Sequence, residues 1–149
     1  MRTKKTSPLH LDQQLCFALY SASRLMTQTY GPLLETLDLT YPQYLVMLVL
    51  WKTDDLSVKE IGQQLKLDSG TLSPLLKKMQ AKGLLQKVRL DSDERSVAVG
   101  LTAQGQALKK QAEKVPLVMA CNLNLKEKDF VELRDKVQAL SAQLEKLNA

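Results

Sequence analysis

Apolar positions along this chain recur mostly at helical spacing. From Leu11 to Tyr30, residues Leu11, Leu15, Ala18, Leu19, Ala22, Leu25 and Met26 share one face at 100° per residue. Cys16, Tyr20, Ser23, Thr27 and Tyr30 form a narrower stripe beside it. Gly31-Pro32 predicts the stop of this helix. Thr40 and Gln43 are spaced as a capping box, with Pro42 in the first turn, and open a second helix carrying the apolar run Leu45 to Trp51. Apolar on most faces, that helix is expected to be buried.

Ser57 and Glu60 form a second capping box, opening a short helix that buries Val58, Ile61 and Leu65. After the turn Lys66-Leu67-Asp68, a fourth helix starts within Asp68-Ser69-Gly70, runs to about Ala81 and ends near Gly83. Leu72, Leu75, Leu76 and Met79 make its buried face, leaving Ser69, Thr71, Ser73, Lys77 and Lys78 outward. Pro74 fits this helix if it begins near Gly70, so that the hydrogen bond lost is the first.

The period then changes. Leu84 to Leu90 and Ser96 to Leu101 read as strands, joined by the polar turn Asp91-Ser92-Asp93-Glu94-Arg95. Thr102 starts a fifth helix to about Ala120, bent at Pro116. Asn124 and Glu127 are spaced as a cap for the last helix. On it, Phe130, Leu133, Val137, Leu140, Leu144 and Leu147 make a heptad seam, the pattern of a dimerisation surface. The expected fold is mainly α with a small β-hairpin wing. It is a winged helix-turn-helix DNA-binding domain whose terminal helices form a homodimer interface. As one domain of 149 residues, the chain assigns 40–102 to DNA binding and 11–30 with 103–149 to dimerisation.

Composition narrows the function. With 44% apolar and 25% charged residues the chain is of globular type. No apolar run reaches the roughly 18 residues a membrane span needs. The basic amino terminus has no apolar stretch behind it, so no secretory signal is expected and the protein is expected in the cytoplasm. Two cysteines and one histidine predict neither a disulfide scaffold nor a metal site, and no cofactor fingerprint is present. The net charge is +5. Lys66, Lys77, Lys78, Lys82, Lys87 and Arg89 concentrate positive charge in one segment against the single acid Asp68, which favours a polyanion partner.

A helix-turn-helix places the amino-terminal half of its second helix in the major groove. There Ser69, Thr71 and Ser73 let the backbone approach, and Lys77 and Lys78 engage phosphates. At the hairpin tip Arg95, oriented by Asp93, suits a narrow A·T-rich minor groove. A two-fold dimer sets two such helices about 34 Å apart on a pseudo-palindromic operator. Cys16 has two readings: an inert apolar side chain, or a redox-sensing thiol whose thiolate accepts hydrogen bonds from neighbouring phenols, with Tyr20, Tyr30 and Tyr41 as donors. A helix counted from Leu11 puts Cys16 mid-helix, where the helix dipole gives little help.

LCFALYSASR around Cys16, TYPQYLVMLVLW, LDSGTLSPLLKKMQAKGL and DSDERSVAVGLT resemble the MarR family, and more narrowly its OhrR branch of organic-hydroperoxide-sensing repressors. The resemblance implies an obligate dimer whose first, fifth and sixth helices interlock, and it matches Cys16 to the peroxide-reactive cysteine. It matches Tyr30 and Tyr41 to tyrosines that reach that cysteine from the partner subunit, and Arg95 to the wing arginine. Cys121 falls about where two-cysteine members carry the resolving cysteine of an intersubunit disulfide. Two rival readings remain: a MarR-type repressor relieved by a phenolic or aromatic ligand, and a thiol peroxidase, for which the chain offers little beyond tyrosines.

Overall fold

In the computed structural model of the protein the described residues are 7–89 and 97–148, and the chain divides into two compact units, 1–115 and 116–149. A 3-10 turn over Leu11–Gln13 leads into α1, Leu15–Glu35. Both capping boxes form as the spacing predicts. Thr40 and Gln43 start α2, Tyr41–Lys52, while Ser57 and Glu60 start α3, Val58–Leu65. Strand β1, Leu56–Ser57, precedes α3, and α4 spans Ser69–Ala81. Strands β2, Leu85–Arg89, and β3, Val97–Leu101, are followed by α5, Ala103–Ala112. Helices α6, Lys114–Leu123, and α7, Glu127–Leu147, complete the chain.

Tight backbone contact makes the turn between α3 and α4. Lys66 ends α3 in the left-handed region (φ 56°), and the Leu67 N–H donates to the Gly62 carbonyl. A Cβ on Gly62 would lie 2.8 Å from the Leu67 carbonyl oxygen, so the close approach requires glycine. Strand order is β1-β3-β2, antiparallel, with Leu85 opposite Leu101, Arg89 opposite Val97 and Leu56 opposite Val99. The central strand β3 is therefore buried along Ala98–Leu101. The core of the first unit is built on Leu34, Val46, Met47, Leu50, Ile61, Leu72 and Met79, all but inaccessible to solvent. Lys82, just past α4, donates to the backbone carbonyl of Asp38 (2.6 Å) and pairs with its carboxylate (3.0 Å), tying the end of α4 to the turn after α1.

Several expectations are corrected. Gly31-Pro32 does not stop α1: Pro32 sits inside it, and the helix continues because Leu34 is buried in the core. One missing backbone hydrogen bond is outweighed by such packing. Helix α4 starts at Ser69 with Asp68 as its cap, and the Leu72 N–H already bonds the Asp68 carbonyl. The bond Pro74 cannot make, to Gly70, is thus the third of the helix rather than the first. The break expected at Pro116 falls at Glu113 instead, and Pro116 lies in the first turn of α6, where its missing N–H costs nothing. Asn124 does not cap the last helix: it adopts φ 48°, and the N-cap of α7 is Lys126.

Candidate thiol site and nucleic-acid interface

Starting at Leu15, α1 places Cys16 as its second residue, not mid-helix. Gln14, the N-cap, makes no side-chain cap; its amide donates instead to the Pro8 carbonyl. The first intrahelical bond is from the Ala18 N–H to the Gln14 carbonyl, so the N–H groups of the first turn point out of the helix beside Cys16. The Cys16 side chain is exposed. Its apolar face is exposed as well: Leu15 is 62% accessible and Leu25 60%, so in the single chain this stripe is a surface.

Tyr20, one turn beyond Cys16, is exposed, with the Arg24 guanidinium 5.5 Å above its ring. Tyr30 is elsewhere. It stands fourteen residues along α1 from Cys16, about 21 Å by the rise of an α-helix. There its ring meets Tyr41 (centroids 4.9 Å apart) and Tyr44 (6.0 Å). The structure thus groups Tyr30 with Tyr41 and separates both from the Cys16 of their own chain. Burial, and then the neighbouring Tyr41, raises the Tyr30 phenol above its ordinary value of 10.0. Tyr44 is raised likewise, by burial first and then by Tyr30 and Tyr41. Both stay neutral donors at physiological pH. Tyr44 escaped the sequence reading because it lies within an apolar run; its spacing from Tyr41 on one helix face was the available signal.

Ser69, Thr71, Ser73, Lys77 and Lys78 all lie exposed on α4, as the periodicity predicts. Thr71 is committed to the cap: its N–H and its hydroxyl each donate to the Asp68 carboxylate at 2.8 Å. Those bonds, the hydroxyl's first, hold the Asp68 carboxyl below its ordinary value of 3.8. Asp93 and Arg95 lie outside the described residues. Cys121 is exposed on α6, in the second unit. On α7 the seam residues Leu133, Val137, Leu144 and Leu147 are exposed. Among the described residues no helix is long and apolar enough to cross a membrane.

Helices α3 and α4 joined by a tight turn, followed by a short antiparallel sheet, define a winged-helix DNA-binding regulator. Residues 28–112 match the family model of the transcriptional regulator SarA/Rot. The chain is 45% identical to the organic hydroperoxide resistance transcriptional regulator of Bacillus subtilis, over 97% of its own length and 96% of the relative's. Reduced AbfR bound to DNA, from Staphylococcus epidermidis, superposes with TM-score 0.78 at 32% identity, covering 93% of this chain and 95% of the other. The disulfide form of AbfR gives 0.62 at 35% identity, covering 92% and 91%. The chain belongs to the MarR/SarA family of winged-helix transcriptional regulators, in which it is similar to OhrR-type proteins.

Proposed function

We propose that the protein is a homodimeric repressor, released from its operator when an organic hydroperoxide oxidises Cys16. The observation that carries this reading is the place of Cys16: exposed, in the uncapped first turn of α1, amid an exposed apolar face. The exposed apolar surround favours an organic over an inorganic peroxide. The family relatives support it, one named for organic hydroperoxide resistance and one solved both reduced on DNA and as a disulfide.

In the reaction, the Cys16 thiolate attacks the terminal oxygen of the hydroperoxide. An S–O bond forms, the O–O bond breaks, and the alkoxide leaves as the alcohol after taking a proton. Cys16 becomes a sulfenic acid, oxidised by two electrons. The Cys121 thiolate of the second subunit then attacks that sulfur, forming the S–S bond and expelling hydroxide, which leaves as water. Tyr30, about 21 Å along α1 from the Cys16 of its own chain, and Tyr41 packed against it serve the thiol of the other subunit as hydrogen-bond donors. Tyr20 lies beside Cys16 on its own helix.

Two copies joined through α1 and the α5–α7 region place two α4 helices on successive major grooves of a pseudo-palindromic, A·T-rich operator in the cytoplasm. Ser69 and Ser73 approach the bases, Lys77 and Lys78 the phosphates, and Arg95, steadied by Asp93, the minor groove. The disulfide shifts the dimer interface and moves the helices off their spacing. Such a sensor is not an enzyme, so it consumes peroxide once. With excess cumene hydroperoxide and no reductant, about one equivalent should disappear per Cys16–Cys121 pair, and none with Cys16→Ser. Continuous consumption driven by a dithiol at enzyme-like rates would make it a peroxidase, and no consumption would end the sensor reading.

A further inference from the structure

Trp51, at the end of α2, joins two parts of the first unit. Its ring meets that of Tyr44 edge-on, with centroids 6.4 Å apart at 68°, and Tyr44 in turn packs on Tyr30. On its other side the indole Nε1–H donates to the Gly105 carbonyl at 3.0 Å. Gly105 is where the DNA-binding elements meet. A Cβ there would lie 2.3 Å from the Leu84 carbonyl oxygen, so the first turn of α5 lies directly on the backbone that links α4 to β2. The Gly105 N–H donates to the Thr102 hydroxyl (3.0 Å), which itself donates to the Gly83 carbonyl (2.6 Å) just past α4. Lys109 closes the arrangement by donating to the Trp51 carbonyl (2.9 Å).

We propose that Trp51 is a positioning residue: through its two contacts the Tyr30–Tyr41–Tyr44 cluster fixes the Gly105 junction, and with it the setting of α4 and the wing on DNA. The indole bridges the two groups by one ring contact and one partly buried hydrogen bond, and loss of either leaves the junction free to settle differently. A hydrogen bond of this kind is directional, so the junction follows the ring that donates it. The inference rests on the DNA-binding reading above but not on the peroxide one.

A double-mutant cycle on the full-length reduced protein tests it without oxidant. The probe is a duplex selected from a random pool by the reduced wild type, and melting curves confirm that each variant is folded at the assay temperature. Tyr30→Leu should weaken DNA binding about fivefold in the wild-type background and less than about twofold in Trp51→Phe, the coupling expected of residues sharing one contact chain. Equal effects in both backgrounds, or no effect of Tyr30→Leu, would overturn the proposal; a purely structural Trp51 gives additive losses. Should Trp51→Phe fail to fold, Trp51 itself reports, being the chain's single tryptophan. Its emission should shift as the duplex is added to wild type and lose most of that shift in Tyr30→Leu. An emission that changes alike in both, or in neither, would overturn the proposal.

Discussion

Tyr30 and Cys16 share one continuous helix, yet about 21 Å of α1 lies between them. In the proposed dimer, a second α1 running the opposite way across the two-fold axis would bring the tyrosine of one chain to the cysteine of the other. Mixed dimers give the direct check. Cys16→Ser and Tyr30→Phe homodimers should both respond poorly to peroxide. A mixed dimer of the two carries one intact pair, Cys16 from one subunit and Tyr30 from the other. Its rate of thiol loss per Cys16 should return to near the wild-type value. A mixed dimer no faster than Tyr30→Phe would place the donor within the same chain.

Lys77→Ala should weaken binding to specific and unrelated duplexes alike and lower the salt dependence of log K by about one unit, as removal of one phosphate contact does. Arg95→Ala should weaken A·T-rich flanks selectively. Salt titrations on two duplexes differing only in their flanks separate these outcomes, and unchanged affinity in both variants would put the DNA surface elsewhere.

Helix α4 carries a pH-dependent cap. The two bonds from Thr71 depress the Asp68 carboxyl below 3.8, so its ionised form is the one the fold favours. Stability from that carboxylate is complete above the unfolded value and fades as pH falls through the lower native one. The advantage of wild type over Asp68→Asn in urea unfolding should therefore be largest above pH 4 and shrink below it. A difference constant across that range would contradict the cap.

Much of this architecture was legible because local chemistry is strong where it matters. Two capping boxes placed α2 and α3, and the spacing of hydroxyls and lysines placed the exposed side of α4. What escaped was decided by distant contacts. Strand β1 is two residues long and has no period; it exists because β3 offers it a partner. Pro32 reads as a helix stop, and only the burial of Leu34 carries α1 through it. The first turn of α1 looked like a continuation of the apolar stripe from Leu11. That error hid the position of Cys16 in the first turn of the helix. Trp51 read as the last member of an apolar run, although its indole N–H called for a partner.

Mild oxidation should leave a covalent trace. After brief treatment with an organic hydroperoxide, wild type should run as a dimer on a non-reducing gel, return to monomer with a dithiol, and stay monomeric as Cys121→Ser. That variant should instead over-oxidise at Cys16 or form an adduct with an added small thiol. A monomeric wild type that nonetheless leaves DNA would assign resolution to a small thiol and Cys121 to packing.

In the proposed mechanism one sulfur atom, that of Cys16, controls DNA occupancy. Titration of an operator duplex with reduced protein, with and without a stoichiometric organic hydroperoxide, measures it directly in wild type and Cys16→Ser. Reduced wild type and Cys16→Ser should bind within about twofold of each other, since Cys16 lies outside the DNA-facing segment. Peroxide should weaken wild type by tenfold or more, about 1.4 kcal/mol, and leave Cys16→Ser unchanged. If peroxide releases Cys16→Ser as readily as wild type, Cys16 is not the sensor.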